Sequence, residues 1–273
     1  METTIRSTDG TPITYLTFGT GPGLVIVPGT TRRAYHYTAL ATMLGDTRTV
    51  HVIDRRGRGS SGPQGPRYTI DREVEDLLAV LDATGADAVF GHSYGGLIAL
   101  ETALVRPLSA LIGYEPGLSL NGGFDRSFVP LFTRAITRGR YATAMARLMV
   151  GLNLVPARLP VAAVVALGWL MMRGREGAVL RETLRTVPAE ISEGHRLDSD
   201  GRRYAAITAP TLLLGGGRSP GWLLSVVSEL HKIIPNSSQV VSARLDHNAP
   251  DQGAPEAIAG LVRAFLAPAE SIP

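Results

Sequence analysis

Cysteine is absent from this chain of 273 residues. Without cysteine there are no disulfides, no thiolate metal sites and no cysteine nucleophiles, so a catalytic nucleophile must be another residue type. An excess of charge of one sign is also missing, since the formal net charge is +3 and the arginines are distributed along the sequence without forming a basic tract. Nucleic acid is therefore not expected as a partner.

Long hydrophobic runs are missing as well. The most apolar stretch, residues 161–172, is too short to cross a bilayer and has arginines close to both ends, so we expect no stable membrane insertion. We interpret this stretch as an apolar lid or core helix. The polar residues 1–9 do not resemble a secretory signal, which favours a cytoplasmic location. The oligomeric state stays open, and a homodimer is compatible with the sequence.

What the chain does contain is the composition of a globular protein, with 44% hydrophobic and 19% charged residues. Short continuous apolar runs are typical of strands buried on both faces of a parallel sheet, and helical patterns separate most of them here. The runs are residues 24–27, 49–53, 88–90, 108–113 and 211–214. With an antiparallel hairpin over residues 3–19, this alternation predicts an α/β fold with a mostly parallel, doubly wound sheet.

The alternation lapses over residues 117–206, which are helical in pattern, rich in arginine, methionine and leucine, and interrupted by prolines. We predict one α/β core, residues 1–116 and 207–273, with a helical cap or lid inserted at residues 117–206. The apolar side chains of this insertion suggest the roof of a pocket for a hydrophobic substrate, although ordinary packing on the core explains them equally well. They are Leu148, Met149, Val150, Leu152, Leu154, Val161, Val164, Val165, Leu167, Trp169, Leu170, Met171 and Met172.

The strongest motif is Gly-His-Ser-Tyr-Gly-Gly at residues 91–96, which follows one of the buried strands and leads into a helix. A G-x-S-x-G elbow needs this strand, sharp turn and helix context, because the strained turn exposes the serine hydroxyl and the glycines let strand and helix approach closely. Ser93 is therefore predicted to be a nucleophile, with the Tyr94 amide directed at an oxyanion. A serine helix cap after a glycine turn is the alternative.

In this context the chain resembles the α/β-hydrolase superfamily, over nearly its whole length outside the helical insertion. Residues 54–61, Asp-Arg-Arg-Gly-Arg-Gly-Ser-Ser, are similar to the D-x-R-G-x-G-x-S turn of that family, and we treat them as architectural, with Arg56 as a scaffold residue. The resemblance implies an α/β-hydrolase fold and a serine hydrolase with a Ser-His-acid triad. The glycine-rich turns lack dinucleotide and P-loop motifs, so no cofactor or metal is expected.

A nucleophilic serine needs a base, because an isolated hydroxyl is a poor nucleophile near neutral pH. His247 lies in a polar loop between the apparent last strand, residues 239–243, and the final helix, where members of the family carry their catalytic histidine. We therefore predict that His247 is the general base. His92 adjoins Ser93 along the backbone and is assigned a structural or pocket role. The remaining histidines, His36, His51, His195 and His231, are assigned to solvated or packing positions.

The acid departs from the common pattern of the family. In much of the family an Asp follows the strand at residues 211–214, but this chain reads Gly-Gly-Gly-Arg there. A subset of the family carries its acid after the strand that follows the nucleophile helix, and here that strand ends at Glu115. We predict that Glu115 orients His247 and stabilises its imidazolium form. Glu115 as a cap or salt-bridge partner, and Asp246 as the acid, are the alternatives.

The second oxyanion amide of the family comes from the loop after the third strand, which reads Val-Pro-Gly-Thr-Thr at residues 27–31. We predict the Thr30 amide as the donor, with the Thr30 or Thr31 hydroxyl as further help. Binding of an acidic substrate group is one interpretation of the adjacent Arg32 and Arg33, but we expect them to be solvated and leave them out of the site.

The predicted function is a carboxylesterase-like hydrolase that cleaves an ester, thioester or lactone of a hydrophobic small molecule through an acyl-enzyme. The unusual acid position and the Pro-Gly loop motivate an alternative, a non-hydrolytic lyase or cyclase on the same scaffold. A third reading is a ligand-binding receptor that retains the pocket and turns over slowly, because a fold does not determine its chemistry.

Overall fold

One mixed sheet of eight strands forms the centre of the protein, whose computed structural model describes residues 1–267. The strands are β1 (Glu2–Arg6), β2 (Pro12–Phe18), β3 (Gly23–Val27), β4 (Thr49–Asp54), β5 (Ala88–His92), β6 (Ala110–Tyr114), β7 (Thr211–Gly216) and β8 (Ser237–Ser242). Their spatial order is β1-β2-β4-β3-β5-β6-β7-β8. The pairs β1–β2 and β2–β4 are antiparallel, and all other neighbours are parallel. The predicted hairpin and mostly parallel sheet are confirmed.

Ten α-helices accompany the sheet within residues 1–267. They are α1 (Thr38–Leu44), α2 (Ile70–Thr84), α3 (Tyr94–Val105), α4 (Val129–Thr137), α5 (Tyr141–Gly151), α6 (Val161–Met171), α7 (Gly174–Thr183), α8 (Val187–Arg196), α9 (Gly221–Ile233) and α10 (Pro255–Leu266). Helices α4 to α8 all lie between β6 and β7, in the stretch where we predict an insertion. Among the described residues, no helix combines the length and the apolar composition needed to cross a membrane.

The sheet is covered on both faces because side chains alternate along its central strands. On β3, Val25 and Val27 face one apolar cluster that includes Leu97 of α3. Leu24 and Ile26 face the opposite cluster, to which α1 and α10 contribute. With both faces filled, the carboxyl ends of the parallel strands are the open edge at which loops can build a site.

Helices α4, α5, α6 and α8 share an apolar cluster that includes the fully buried Phe132. Helices α5 and α6 pack closely, since a Cβ added at Gly168 would lie 2.5 Å from the carbonyl oxygen of Ala142. These helices therefore pack on one another through their apolar inner faces. Their remaining faces take no part in this cluster.

The turn between β5 and α3 depends on close backbone packing. A Cβ added at Gly95 would collide with the Val27 carbonyl oxygen and lie 2.7 Å from the carbonyl oxygen of Pro28. Both obstacles are backbone atoms of β3 and its following loop, so a side-chain rotation cannot relieve them. Glycine at this position is what allows the helix to begin directly beside the sheet.

We predict that Gly95→Ala lowers the free energy of unfolding by about 1–3 kcal/mol and lowers activity, because the added methyl group displaces the turn. Gly260→Ala is the matched control: Gly260 lies in α10, and an added Cβ there meets nothing within 4 Å. That control should be neutral or stabilising by up to about 1 kcal/mol. Urea denaturation of both variants checks the prediction, and equal stabilities for the two would contradict it.

Candidate active site

Ser93 sits on the turn between β5 and α3 with φ 55° and ψ −122°. A positive φ is unfavourable for a residue with a side chain and must be imposed by the surroundings. Two backbone hydrogen bonds do so here: the Ser93 N–H donates to the Tyr114 carbonyl at 2.9 Å, and the Gly117 N–H donates to the Ser93 carbonyl at 2.7 Å. The strand, turn and helix that the motif predicts are therefore present, and the serine is held at the carboxyl edge of the sheet.

His247 reaches Ser93 from the loop after β8. Its Nε2 atom lies 3.2 Å from Ser93 Oγ, and its Nδ1 atom lies 2.6 Å from Glu115 Oε2. A carboxylate is an acceptor only, so it requires the imidazole proton at Nδ1. Nε2 is then free to accept the hydrogen bond of the serine hydroxyl. The structure thus brings together the three residues that we predict as nucleophile, base and acid.

Glu115 follows β6 directly and is 0% exposed, with φ 45°. Its Oε1 accepts a hydrogen bond from the Gly216 N–H at 2.7 Å, so its two oxygens are shared between the end of β7 and His247. The glycine run where the family usually has an Asp supplies a backbone donor in place of an acid. Asp246, the alternative acid, is exposed and accepts from the Asn248 N–H at 2.9 Å.

His92 joins the two loops on either side of the serine. Its Nε2–H donates to the carbonyl of His247 at 2.8 Å, and its Nδ1 accepts from the hydroxyl of Tyr37 at 2.6 Å. Tyr37 in turn accepts from the N–H of Gly29 at 3.1 Å. Burial, followed by the nearby charges of His247 and Arg32, keeps the pKa of His92 well below its ordinary value, so the ring stays neutral. The structural role predicted for His92 is thus a buried link between the Gly29 loop and the His247 loop.

The two predicted oxyanion donors both line the same cavity as Ser93. Tyr94 is the first residue of α3, a position whose N–H has no intrahelical acceptor. The Thr30 N–H forms no backbone hydrogen bond within residues 1–267. The Thr30 hydroxyl, however, donates to Glu190 Oε2 at 3.0 Å and is not available to an oxyanion. The prediction that the Thr30 hydroxyl contributes to oxyanion binding is therefore wrong, because this hydroxyl donates its hydrogen bond to a buried carboxylate of α8.

Glu190 is a buried anchor that the sequence does not reveal. It accepts hydrogen bonds from Thr30, from Thr186 at 2.8 Å and from Arg58, and Arg55 lies 3.4 Å away. Burial alone would raise the pKa of Glu190, but Arg55, Arg58 and these hydrogen bonds lower it below its ordinary value. The carboxylate thus stays ionised and fastens α8 to the Thr30 loop.

The arginines of residues 54–61 are architectural, as expected for this segment. Arg56 forms two 2.7 Å hydrogen bonds to Asp76, in keeping with a scaffold role. Arg55 pairs with Glu73 at 2.6 Å, and its Cζ atom lies 4.7 Å from the centre of the Tyr94 ring. A buried guanidinium group therefore packs against the ring of Tyr94, the residue that follows the nucleophile.

The prediction that Arg32 and Arg33 are solvated is wrong. The Arg32 side chain is only 16% exposed and pairs with Asp251, while Arg33 donates to Asp54 at 3.3 Å. Both acids lie in segments that are distant along the chain. The fold, and not the local sequence, provides the partners that bury these two arginines.

A cavity of about 410 Å³ lies over Ser93 and His247, a size typical of small-molecule sites. Its upper wall is apolar and comes from the inserted helices. Of the apolar residues predicted as a pocket roof, the cavity is lined by Leu148, Met149, Leu152, Leu154 and Met171. Others face solvent instead, namely Val150, Val161, Leu167, Trp169 and Leu170. His36 and His195, which we assigned to solvated or packing positions, also line the cavity.

The sequence matches the alpha/beta hydrolase family over residues 24–261, so the chain belongs to this family. A solved alpha/beta hydrolase of Sphaerobacter thermophilus shares 30% identity, with a TM-score of 0.82 over 97% of this chain and 100% of the other. The resemblance and the α/β-hydrolase fold are therefore confirmed.

Two curated hydrolases are similar over shorter stretches. Lipase LipV of Mycobacterium tuberculosis is 34% identical over 114 residues, 40% of this chain and 43% of that protein. N-formylmaleamate deformylase of Pseudomonas putida is 38% identical over 94 residues, 33% of this chain and 35% of that protein. The chain thus matches less than half the length of either relative.

We predict that Tyr37→Phe lowers the free energy of unfolding by about 1–3 kcal/mol, because it leaves the Gly29 N–H and His92 Nδ1 buried without partners. Tyr141→Phe is the matched control, since the Tyr141 hydroxyl accepts an exposed hydrogen bond from Arg185. Urea denaturation should show a small change for that control, within about 0.5 kcal/mol. A Tyr37→Phe protein as stable as the wild type would contradict the proposed link between the two loops.

Proposed function

We propose that this protein is a serine hydrolase that cleaves an ester-like bond of a hydrophobic small molecule through an acyl-enzyme on Ser93. The observation that carries the proposal is the pair of contacts made by His247, 3.2 Å to Ser93 Oγ and 2.6 Å to Glu115 Oε2, beneath an apolar cavity. This arrangement has the nucleophile, base and orienting acid that acyl transfer requires.

In the first half of the proposed reaction, His247 Nε2 takes the proton of Ser93 as Oγ attacks the carbonyl carbon. The carbonyl oxygen becomes an oxyanion, and the N–H groups of Thr30 and Tyr94 are assigned to bind it. Glu115 stabilises the imidazolium that forms. His247 then donates its proton to the leaving oxygen or sulfur, the bond to the leaving group breaks, and an ester of Ser93 remains.

In the second half, a water molecule takes the place of the leaving group. His247 accepts a proton from this water, whose oxygen attacks the acyl carbon, and the same N–H groups stabilise the second oxyanion. The bond to Ser93 Oγ breaks as His247 returns the proton to the serine. The products are a carboxylic acid and the free enzyme.

The apolar wall supports a hydrophobic acyl or leaving group. Transfer of such a group from water into a cavity lined by leucine and methionine is favourable in proportion to the apolar area buried. The relatives named above, a lipase and a deformylase, also support hydrolysis as the class of reaction. We assign oxygen and sulfur esters as the substrates of this chain. A matched amide in the experiment below distinguishes them from amide substrates.

A fluorophosphonate probe should label the wild type and fail to label Ser93→Ala. Nitrophenyl esters of increasing acyl length should give rising kcat/KM until the chain fills the cavity, and the matched anilide should react far more slowly. Label on Ser93→Ala, or ester turnover that survives this substitution, would contradict the mechanism. Conversion of a substrate without incorporation of water would favour the lyase or cyclase instead.

Glu115→Gln should lower kcat by about 10³–10⁴-fold, because the glutamine amide would donate to Nδ1 and force the proton of His247 onto Nε2. The amide oxygen of the substituted side chain can still accept from Gly216, so the fold should persist by circular dichroism. Asp246→Asn is the control and should change kcat by less than about threefold. Loss of activity in Asp246→Asn with an active Glu115→Gln would assign the acid to Asp246.

A further inference from the structure

The outer side of α6 is apolar and exposed. Trp169 is 63% exposed and Leu170 is 58% exposed, while the buried positions of this helix are Val164 and Gly168. Among residues 1–267, neither the cavity lining nor the apolar clusters include Trp169 or Leu170. A contiguous apolar patch of this kind on a protein surface marks a place of interaction.

The same part of the chain is strongly basic. Residues 126–175 contain eight of the 27 basic residues and none of the 24 acidic ones, so the rest of the chain is net acidic. None of these eight arginines forms a salt bridge with an acid among the described residues. The first acid that follows, Glu176, is already bound by Tyr35 and His36. Charges that look dispersed along the sequence are thus concentrated in one part of the fold, from the loop before α4 to the first turn of α7.

Exposed arginines lie close to α6 along the chain and across its contact with α5. Arg158 precedes α6 and Arg173 follows it, and both are exposed. Arg140 precedes α5 by one residue, close to Ala142, whose carbonyl oxygen packs against Gly168 beside Trp169. Within residues 1–267 none of these three arginines pairs with an acid, so the surface combines exposed apolar side chains with unpaired guanidinium groups. Its members are Arg140, Arg158, Val161, Leu167, Trp169, Leu170 and Arg173. We call it the α6 face.

We propose that the α6 face docks on an anionic phospholipid surface. Indole and leucine side chains enter the boundary between headgroups and acyl chains, while arginines bind the lipid phosphates. The helix has 11 residues, or a length of about 16 Å, against a hydrocarbon core of about 30 Å. It therefore lies on the membrane and does not span it.

The positive charge of the α6 face argues against a second copy of the chain as the partner that covers it. A symmetric dimer through the α6 face would bring the arginines of both copies together, since the same patch contacts itself across a twofold axis. With no acids in residues 126–175, no compensating charge would come from the partner's same patch. An anionic lipid surface supplies the negative charge that a dimer lacks.

Helix α6 also contributes to the wall of the cavity. Leu154 lines the cavity and is 38% exposed, and Met171 ends α6 and also lines the cavity. Docking would therefore hold the cavity beside the lipid, and an apolar substrate dissolved there could enter with little exposure to water. This last step rests on the proposed function, whereas the docking itself does not.

Cosedimentation with vesicles tests the docking directly. Vesicles of equal parts phosphatidylglycerol and phosphatidylcholine should bind the full chain, pure phosphatidylcholine should bind it far more weakly, and added salt should weaken binding to the anionic vesicles. Ser93→Ala should bind as well as the wild type, which separates docking from catalysis. In Trp222→Phe, Trp169 is the sole tryptophan, so its fluorescence should shift to the blue when anionic vesicles are added.

Two double variants probe the two halves of the surface. Trp169→Ser with Leu170→Ser should lower the vesicle partition coefficient by about tenfold or more, and Arg158→Gln with Arg173→Gln by a similar factor. The controls are Val240→Ser with Val241→Ser, at exposed apolar positions of β8, and Arg6→Gln with Arg67→Gln, which remove the same charge elsewhere. Both controls should bind vesicles like the wild type.

Three results would overturn the proposal. Absence of binding to the anionic vesicles would do so, and so would an equal loss of binding in the test and control variants. The third is a protein that does not bind vesicles and forms a dimer in analytical ultracentrifugation, with the dimer lost in Trp169→Ser with Leu170→Ser. That result would show that a second copy of the chain covers the α6 face.

Discussion

The hydrogen bond between Glu115 and His247 is the interaction on which the rest of the site depends. Glu115 ends β6 in a left-handed conformation, and its second oxygen is fixed by the backbone of Gly216 at the end of β7. Ser93 follows β5, the other neighbour of β6. Three adjacent parallel strands thus deliver a nucleophile, a carboxylate and its backbone anchor to one edge of the sheet. The imidazole is held where the serine can donate to it.

Two buried networks keep the loops around this contact in place. One runs from Gly29 through Tyr37 and His92 to the carbonyl of His247, and so joins both sides of the serine. The other joins Glu190 of α8 to Thr30 and to arginines of the turn after β4. The inserted helices therefore hold the Thr30 loop in place and also form the apolar wall of the cavity. Their outer side takes part in neither role and is available for the proposed contact with lipid.

Local patterns predicted most of the fold and the elbow, because strand periodicity and the glycines around Ser93 act over a few residues. The prediction of Glu115 needed the family resemblance, since nothing nearby in the sequence pairs it with His247. Tyr37 and Glu190 could not be predicted, because their partners lie far away along the chain. For the same reason the solvated state expected for Arg32 was wrong. Apolar composition also could not show that Trp169 faces solvent.

The position of the proton on the imidazole ring of His247 depends directly on its hydrogen bond with Glu115. Long-range proton–nitrogen NMR of protein isotope-labelled at its histidine nitrogens, recorded where His247 is neutral, identifies which ring nitrogen carries the proton. Because the Glu115 carboxylate accepts from Nδ1 of His247, we expect the proton of His247 on Nδ1. In the same spectrum His92 should carry its proton on Nε2, which faces the carbonyl of His247. A neutral His247 protonated at Nε2 would contradict the assignment of His247 as the base, because that nitrogen could not then accept the proton of Ser93.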